Sequence, residues 1–399
     1  MTTVSPGDGR IDALDALRGC AILGILLINI QVLSGYGFIG PEGRNALSLS
    51  GYDDILQNVL DVLVRAKFYS LFSLLFGYSF VMLAQRMAER ATRSHLRRLV
   101  GLVLIGLAHS LLLWPWDILL LYGLTGFLLL PFLRSSPRTL AIGGFGMFAI
   151  VGVVTWFGPE LGLPDGRGQL ATRVLQENVP TLAGGSYAEV LRANLYLTIS
   201  VFLEWLQDLR PLRVFGMFLL GAAAAVMRLA ERDSPHSSLL SWIAMPALLS
   251  GLFLSVIEIA VAPESSLTRI AYISAHTMGP PMLAVGYAAA LMLWWQKDGL
   301  LGAAVRAALA PVGRMALTNY LLQSAVCVPL FYGFGAGWFA ELSLARLLLF
   351  ALALFVAQMI LSGLWLSVFR QGPIEWVWRW QIRGSRPRLL AAGAAGNGG

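Results

Sequence analysis

The sequence predicts an all-α membrane protein, a helical bundle with about ten transmembrane helices. Three observations predict this class: 57% of the 399 residues are hydrophobic, only 13% are charged, and long apolar runs recur from end to end. A soluble chain carries about 25% charged residues, and about 20 consecutive apolar residues suffice to span a bilayer as a helix. The composition therefore excludes an ordinary soluble fold.

The apolar runs form one predicted integral membrane domain, residues 1–380, followed by a flexible cytoplasmic tail at 381–399. The long segment 159–210, between the fifth and sixth spans, is expected to form a loop and a surface or re-entrant helix at the outer face. The ten predicted spans are 13–33, 58–84, 96–114, 117–133, 139–158, 211–230, 239–261, 270–296, 313–333 and 344–368.

The arginines indicate how the chain is oriented. They cluster after the second span (QRMAERATRSHLRR), after the fourth (RSSPR) and near the C-terminus (RWQIRGSRPRLL), all on one side of a ten-span protein. Positive charge concentrates in cytoplasmic connections, so both termini are predicted to be cytoplasmic. The net charge of +7 does not indicate a nucleic-acid partner, because no exposed basic domain is present to bind one.

Four polar residues are predicted near the cytoplasmic mouth of the bundle. Asp15 and Arg18 begin the first span and share a helix face, and Arg314 and Asn319 lie in the ninth-span sequence VGRMALTNYLLQ. Ionisable groups at membrane depth usually face the bundle interior. Guanidinium groups here are suited to hold the phosphates of an acyl-CoA. The alternative is that these arginines snorkel to the interface and set the topology.

A second polar group is predicted nearer the outer face. A His beside a carboxylate in a partly dry site is suited to general-base catalysis, because the carboxylate fixes the imidazole tautomer. His109 and Asp117, on the two sides of a tight hairpin, are such a pair. Alternatively, His109 hydrogen-bonds between helices and Asp117 caps the fourth span. The group comprises Asn29, Gln31, Lys67, His109, Asp117, Glu258 and His276.

Other signatures of site chemistry are missing from the sequence. It contains no nucleophile elbow, phosphate loop or His/Glu metal box, and Cys20 and Cys327 match no metal or disulfide spacing. No metal is therefore expected. A Gly-Pro-Pro stretch begins three residues after His276, at Gly279, which leaves open a helix break and a hinge role for His276.

Five stretches carry a family resemblance. They are DALRGCAILGILLINI, KFYSLFSLLFG, LIGLAHSLLLWPWDILLLYGLTG, VGRMALTNYLLQS and RQGPIEWVWR. Together they resemble the YeiB-like family of bacterial inner-membrane proteins of unknown function. That family is similar to a transmembrane acyltransferase superfamily, which includes surface-sugar acyltransferases and the lysosomal heparan-glucosaminide acetyltransferase. The resemblance implies transfer of an acyl group from cytoplasmic acyl-CoA to an acceptor presented across the inner membrane.

The resemblance assigns roles on the first helix, with one important difference. Arg18 would belong to the donor side and Asn29 to the reaction centre. Surface-sugar acyltransferases have a His where Asn29 stands, and the lysosomal enzyme has its essential His in the following loop. The comparable loop here, QVLSGYGFIGPEGR, contains no His. The base is therefore expected to be His109, steadied by Asp117, with Asn29 positioning the thioester carbonyl.

The sequence thus predicts an acyltransferase that moves an acetyl-like acyl group from cytoplasmic acyl-CoA to a hydroxyl or amine acceptor, small or linked to a glycan or lipid, at the outer face. Arg18, Arg314 and Asn319 would bind the donor, and Lys67, Glu258 and His276 the acceptor. The alternatives are a non-catalytic membrane component that presents partners, and a transporter or exporter of a small metabolite or lipid-linked substrate. Lys67 or Glu258 would then carry substrate or proton coupling. Membrane lipids are the expected surroundings.

Overall fold

A computed structural model describes residues 12–47, 51–87, 91–158, 160, 169–231, 233–297, 299–383 and 389–390. Apart from one isolated β-bridge between Phe369 and Leu390, the regular structure of these residues is helical, which confirms the predicted all-α fold. The α-helices are α1 (Asp12–Leu33), α2 (Pro41–Leu47), α3 (Tyr52–Leu63), α4 (Lys67–Met87), α5 (Ala91–Leu112), α6 (Ile118–Gly126), α7 (Pro137–Phe157), α8 (Gln169–Gly184), α9 (Tyr187–Gln207), α10 (Arg210–Val226), α11 (Ser237–Ala260), α12 (Ser266–Gln296), α13 (Leu300–Arg314), α14 (Ala316–Phe331), α15 (Leu344–Val368) and α16 (Pro373–Arg383).

The span count of ten is too high. Within the described residues, six helices are long and apolar enough to cross a membrane: α1, α5, α7, α11, α12 and α15. Two bent pairs, α9 with α10 and α13 with α14, raise the number to eight if each pair is one span. The chain is nevertheless a multi-pass membrane protein.

The remaining four predicted spans are interrupted by breaks in the backbone. Span 58–84 is split by a turn at Val64–Ala66 between α3 and α4, and span 117–133 becomes the short α6 and a 3-10 helix. Span 211–230 begins in α10, which is bent by 67° from α9, and span 313–333 contains α14, bent by 76° from α13. Apolar composition indicates that a segment is unfavourable in water. It contains no information on the backbone angles at which a helix bends.

The α1 helix lies at the centre of the bundle, where it packs against α4, α13, α14 and α15. Most of its length is buried, whereas α7, α11 and α15 leave most of their surface uncovered, as helices in contact with lipid do. The α12 helix continues through Pro280 and Pro281, so it does not end after His276.

The predicted outer segment 159–210 contains α8 and α9, while residues 159 and 161–168 lie outside the described part of the chain. A capping box between Ser186 and Glu189 starts α9. Asn194 then donates a hydrogen bond to the Leu111 carbonyl at 3.3 Å, which holds α9 against the last turn of α5. Most of the predicted tail, residues 384–388 and 391–399, also lies outside the described residues.

Candidate functional site

A cationic cavity of about 1170 Å³ lies between α1, α4, α5, α6, α13, α14 and α16. Small-molecule sites commonly measure roughly 300–1,000 Å³, so this cavity has room for an extended ligand. The excess of guanidinium groups over carboxylates suits a ligand with several phosphates. Its charged lining residues are Arg18, Arg93, Arg97, Arg98, Arg314 and Arg379, with Asp15 and Glu375.

Arg18 is oriented by partners on two helices. It pairs with Asp15, one turn earlier in α1, and its Nη2 donates to Ser79 Oγ on α4 at 2.5 Å. The Arg18 side chain keeps 21% exposure while that of Asp15 keeps 1%. The guanidinium therefore faces the cavity and its counter-ion lies in the wall. Because a guanidinium has five N–H donors, these contacts leave donors for a ligand.

Two glycines bring the helix of Arg314 close to the helix of Arg18. A Cβ atom on Gly313 would lie 1.7 Å from the Asp15 carbonyl oxygen, and one on Gly19 would lie 2.3 Å from the Leu309 carbonyl oxygen. No other residue allows the backbones of α1 and α13 to approach so closely. This contact explains the glycine of the Leu-Arg-Gly stretch and places both arginines on one cavity.

The C-terminal helix α16 closes the cavity at the predicted cytoplasmic end. Trp378 Nε1 donates to the Arg98 carbonyl at 3.0 Å, and its ring lies 5.2 Å from the Arg98 guanidinium carbon. Glu375 accepts hydrogen bonds from the backbone N–H groups of Leu317 and Thr318 at 2.8 and 3.0 Å, so it caps α14. Burial raises the pKa of Glu375, which lies outside the spanning helices.

His109 and Asp117 form the hydrogen-bonded pair that the sequence predicts. His109 Nδ1 lies 2.5 Å from Asp117 Oδ2, and the two side chains are 1% and 0% exposed. Asp117 Oδ1 also accepts the Leu120 N–H at 2.8 Å and caps α6. Asp117 therefore caps α6 and pairs with His109 at the same time, so the structural role and the chemical role predicted for it are compatible. With Nδ1 donating to Asp117, Nε2 is the basic nitrogen, and it has no hydrogen-bond partner among the described residues.

Tyr320 lies between this pair and the cationic cavity. Its side chain lines the cavity, and its ring centroid is 5.4 Å from that of His109. Its hydroxyl accepts the N–H of Ile118, the residue after Asp117, at 3.3 Å. His109 and Asp117 are absent from the residues that line the cavity. A ligand entering from the predicted cytoplasmic side would therefore meet Tyr320 before it met His109.

The two predicted asparagines lie away from the cavity lining. Asn29 is half-buried in α1 and is absent from the residues that line the cavity. Asn319 is buried, and its Nδ2 donates to the Val312 carbonyl at 3.2 Å and to Ser362 Oγ at 2.9 Å. Its amide thus joins α13, α14 and α15 at the bend. Of the three predicted donor-site residues, Arg18 and Arg314 line the cavity and Asn319 does not.

Glu258 and His276 belong to a separate ionic cluster at the bend between α9 and α10. His276 Nδ1 lies 2.8 Å from Glu258 Oε1, and its Nε2 lies 3.7 Å from Asp208 Oδ1. Asp208 ends α9 and also accepts a hydrogen bond from Arg213 at 3.1 Å. The following residue, Leu209, has a positive φ of 52°. The cluster therefore joins α9, α10, α11 and α12 where the backbone turns.

The third predicted acceptor residue, Lys67, is buried at the start of α4. It is 1% exposed, and its Nζ donates to the Asp61 backbone carbonyl at 2.7 Å. That bond spans the turn between α3 and α4 and satisfies one of the three ammonium donors. Among the described residues, no group of three or more His, Cys, Asp or Glu side chains is arranged to hold a metal ion.

The sequence patterns did not predict several residues of the cationic cavity and of the ionic cluster at the α9–α10 bend. The arginines after the second span resemble orientation signals, but Arg93 and Arg97 are four residues apart and therefore share a helix face. That spacing was an available signal for the cavity wall. Tyr320 carried no signal, because an aromatic residue in an apolar helix is ordinarily a packing residue. Asp208 and Arg213 meet Glu258 and His276 only because α9 and α10 bend.

Comparison with known proteins places these features in a family. A family model described as a protein of unknown function, DUF418, matches residues 198–385. This region holds Arg314, Tyr320 and Glu375, and His109 precedes it. No solved structure matches the chain.

Full-length relatives extend the match to almost the whole chain. The uncharacterised protein YxaH of Bacillus subtilis is 32% identical over 392 residues, 93% of each chain. The uncharacterised protein YeiB of Escherichia coli is 33% identical over 393 residues, 92% of this chain and 94% of its own. An uncharacterised 39.9 kDa protein of Bacillus acidopullulyticus is 28% identical over 379 residues, 93% of each chain. The chain therefore belongs to the YeiB-like family of proteins of unknown function.

Proposed function

We propose that this protein is an acyltransferase embedded in the bacterial inner membrane. It would take an acyl group from acyl-CoA on the cytoplasmic side and pass it to a hydroxyl or amine acceptor nearer the outer face. One observation carries the proposal. A cavity with six arginines in its wall ends at Tyr320, and a buried His109–Asp117 pair lies directly behind that ring.

The arginines supply the donor site in this proposal. The CoA phosphates would enter near α16 and meet the guanidinium groups of Arg18, Arg98 and Arg314. Planar guanidinium groups bind phosphate oxygens through paired N–H donors. The pantetheine arm would then extend toward Tyr320 and bring the thioester to the deep end of the cavity.

The chemistry proposed for His109 is general-base catalysis of acyl transfer. Nε2 takes the proton of the acceptor hydroxyl or amine while the acceptor oxygen or nitrogen attacks the thioester carbonyl carbon. The carbon–sulfur bond breaks, and the departing CoA thiolate takes the proton back from the imidazolium. Asp117 orients the ring and stabilises its positive charge. The Tyr320 ring must turn aside for this contact, and in its resting position it shields His109 from water.

The test is acyl-CoA-dependent CoA release in inverted membrane vesicles, which present the cytoplasmic face and retain native acceptors. We expect His109→Gln to abolish release while the protein folds and inserts normally. His236→Gln is the matched control, because His236 is exposed in the connection before α11. A folded His109→Gln protein with full activity would refute the proposed base. The role of Asn29 as a carbonyl-positioning residue stays a prediction.

The ionic cluster at the α9–α10 bend supports a second candidate function, transport. Transporters commonly bind substrate and coupling ions where spanning helices are broken, and Asp208, Glu258 and His276 meet at such a break. Proton exchange on His276 would couple movement to the proton gradient in that case. Cargo-dependent uptake that collapses when the gradient is dissipated, with no CoA release, would favour transport over acyl transfer.

A further inference from the structure

A second cavity of about 480 Å³ is almost entirely apolar and lies between α1, α4, α7, α10, α11 and α12. Two residues of its lining, Phe145 and Trp242, are 57% and 78% exposed on helices long enough to span the membrane. A hydrocarbon chain is the ligand that such a lining suits, because it offers no donors to polar groups. Representative lining residues are Phe148, Ala223, Ala247, Met282, Ala289 and Met292.

The apolar cavity and the cationic cavity share a wall. Leu14 of α1 and Leu75 of α4 line both of them. Consecutive residues of α1 face opposite sides of this wall, since Leu17 lines the apolar cavity and Arg18 lines the cationic one. Arg18 also reaches α4 through Ser79 at 2.5 Å. The wall beside Arg18 is therefore also a boundary of the second cavity.

The part of the shared wall formed by α4 continues through aromatic contacts toward Tyr320. Phe76, the residue after Leu75, packs against Tyr122 with ring centroids 5.6 Å apart. Tyr122 lies one helical turn beyond Ile118, whose N–H is bonded to the Tyr320 hydroxyl. The wall at Leu75 is thus connected through Phe76, Tyr122 and Ile118 to Tyr320, beside which the thioester is proposed to react.

We infer that the apolar cavity receives the hydrocarbon chain of a medium- or long-chain acyl-CoA whose CoA part occupies the cationic cavity. The inference rests on the proposed function and names the donor class for that site. A single molecule then satisfies both linings: its phosphates meet the arginines and its chain passes between the Leu14 and Leu75 side chains. Acetyl-CoA, with one methyl group beyond the carbonyl, would leave the second cavity unused.

The inference predicts a steep dependence of affinity on chain length. Each methylene group transferred from water into an apolar cavity strengthens binding by about fourfold. The increase should continue until the cavity is full and then stop. A donor site built for acetyl-CoA alone would show no such slope.

The experiment measures the binding of four probes to the purified full-length protein in nanodiscs: CoA, acetyl-CoA, octanoyl-CoA and dodecanoyl-CoA. Ala247→Phe fills the apolar cavity from a half-buried position of α11. Leu249→Phe is the matched control, because Leu249 lies two residues away, is 60% exposed and is absent from the lining. Ala141→Phe, from α7, repeats the test at a second half-buried lining position.

We expect wild type and Leu249→Phe to bind dodecanoyl-CoA at least a hundredfold more tightly than acetyl-CoA. Ala247→Phe should remove most of that difference and leave the affinity for unacylated CoA unchanged. Equal affinity of wild type for all acylated probes, or an unchanged slope in both Ala247→Phe and Ala141→Phe, would overturn the chain site alone. Failure of the folded protein to bind even CoA would overturn the proposed function together with the chain site. Sodium dodecanoate that binds as tightly as dodecanoyl-CoA, and loses binding in Ala247→Phe, would overturn the assignment in favour of a bilayer lipid chain.

Discussion

Substitution of Asp117 separates its structural contribution from its catalytic one. In Asp117→Ala, α6 loses the carboxylate that caps its N-terminus, and His109 Nδ1 loses a buried partner 2.5 Å away. Asp117→Asn keeps a good capping side chain, because its amide oxygen can still accept the Leu120 N–H. The asparagine carries no negative charge, so it cannot stabilise an imidazolium as the carboxylate does.

The stability costs follow from the two lost contacts. Loss of an N-cap costs about 1 kcal/mol, and a buried group left without its partner costs roughly 1–3 kcal/mol. Because both side chains are almost fully buried, solvent does not replace either contact. Asp117→Ala should therefore lose roughly 2–4 kcal/mol and unfold on the order of 5 °C earlier. Asp117→Asn should lose clearly less.

The assay is thermal unfolding in detergent followed by tryptophan fluorescence, combined with CoA release from vesicles. Both variants should lose transferase activity, but only Asp117→Ala should lose most of the stability. Full activity in a stable Asp117→Asn protein would refute the catalytic reasoning. Equal stability of Asp117→Ala and wild type would refute the structural reasoning.

Two further predictions concern the cavity walls. Gly313→Ala should destabilise the protein by about 1–3 kcal/mol or more in thermal unfolding, because the new Cβ would lie 1.7 Å from the Asp15 carbonyl oxygen. The control is Gly146→Ala in α7, whose new Cβ would meet open space and which should be neutral or slightly stabilising. Equal losses of stability in both variants would contradict the packing argument for Gly313. Burial raises the pKa of Glu375 above its ordinary 4.5, so the folded chain keeps this proton to a higher pH than the unfolded chain. Its contribution to stability should fall as the pH rises from about 4.5 through the raised pKa, and Glu375→Gln should remove that part of the pH dependence measured by thermal unfolding.

The sequence was sufficient for the fold class because apolar runs and Arg-rich connections report membrane burial directly. It was insufficient for the number of spans. The turn at Val64–Ala66 and the bend after Asp208 lie inside or beside apolar stretches of uniform composition. Whether a helix continues at these positions depends on local backbone geometry, which composition does not report. Neither Ala66 nor Leu209 is a residue type that signals a positive φ, yet both adopt one.

The candidate site was predictable where partners are close in the sequence. His109 and Asp117 are eight residues apart across a hairpin, and Arg18 follows Asp15 by one turn, so the geometry of a hairpin and of a helix suffices. The roles of Arg98 and Tyr320 depend on how α5, α14 and α16 pack, which no local pattern contains. Asn319 is a polar residue in an apolar helix, as a site residue would be. Its amide instead hydrogen-bonds to α13 and α15 and holds these helices together.

The most direct test of the account is calorimetric measurement of CoA binding to the purified protein. Arg18→Ala and Arg314→Ala each remove a guanidinium group from the cationic cavity, whereas Arg269→Ala, whose side chain packs on Trp156, leaves the cavity intact. Loss of a charge-assisted hydrogen bond costs about 1.5–3 kcal/mol. We predict saturable binding by wild type and Arg269→Ala, weakened roughly 10- to 100-fold in the two cavity variants. A folded wild-type protein that binds no CoA, or cavity variants that bind as wild type does, would contradict the account.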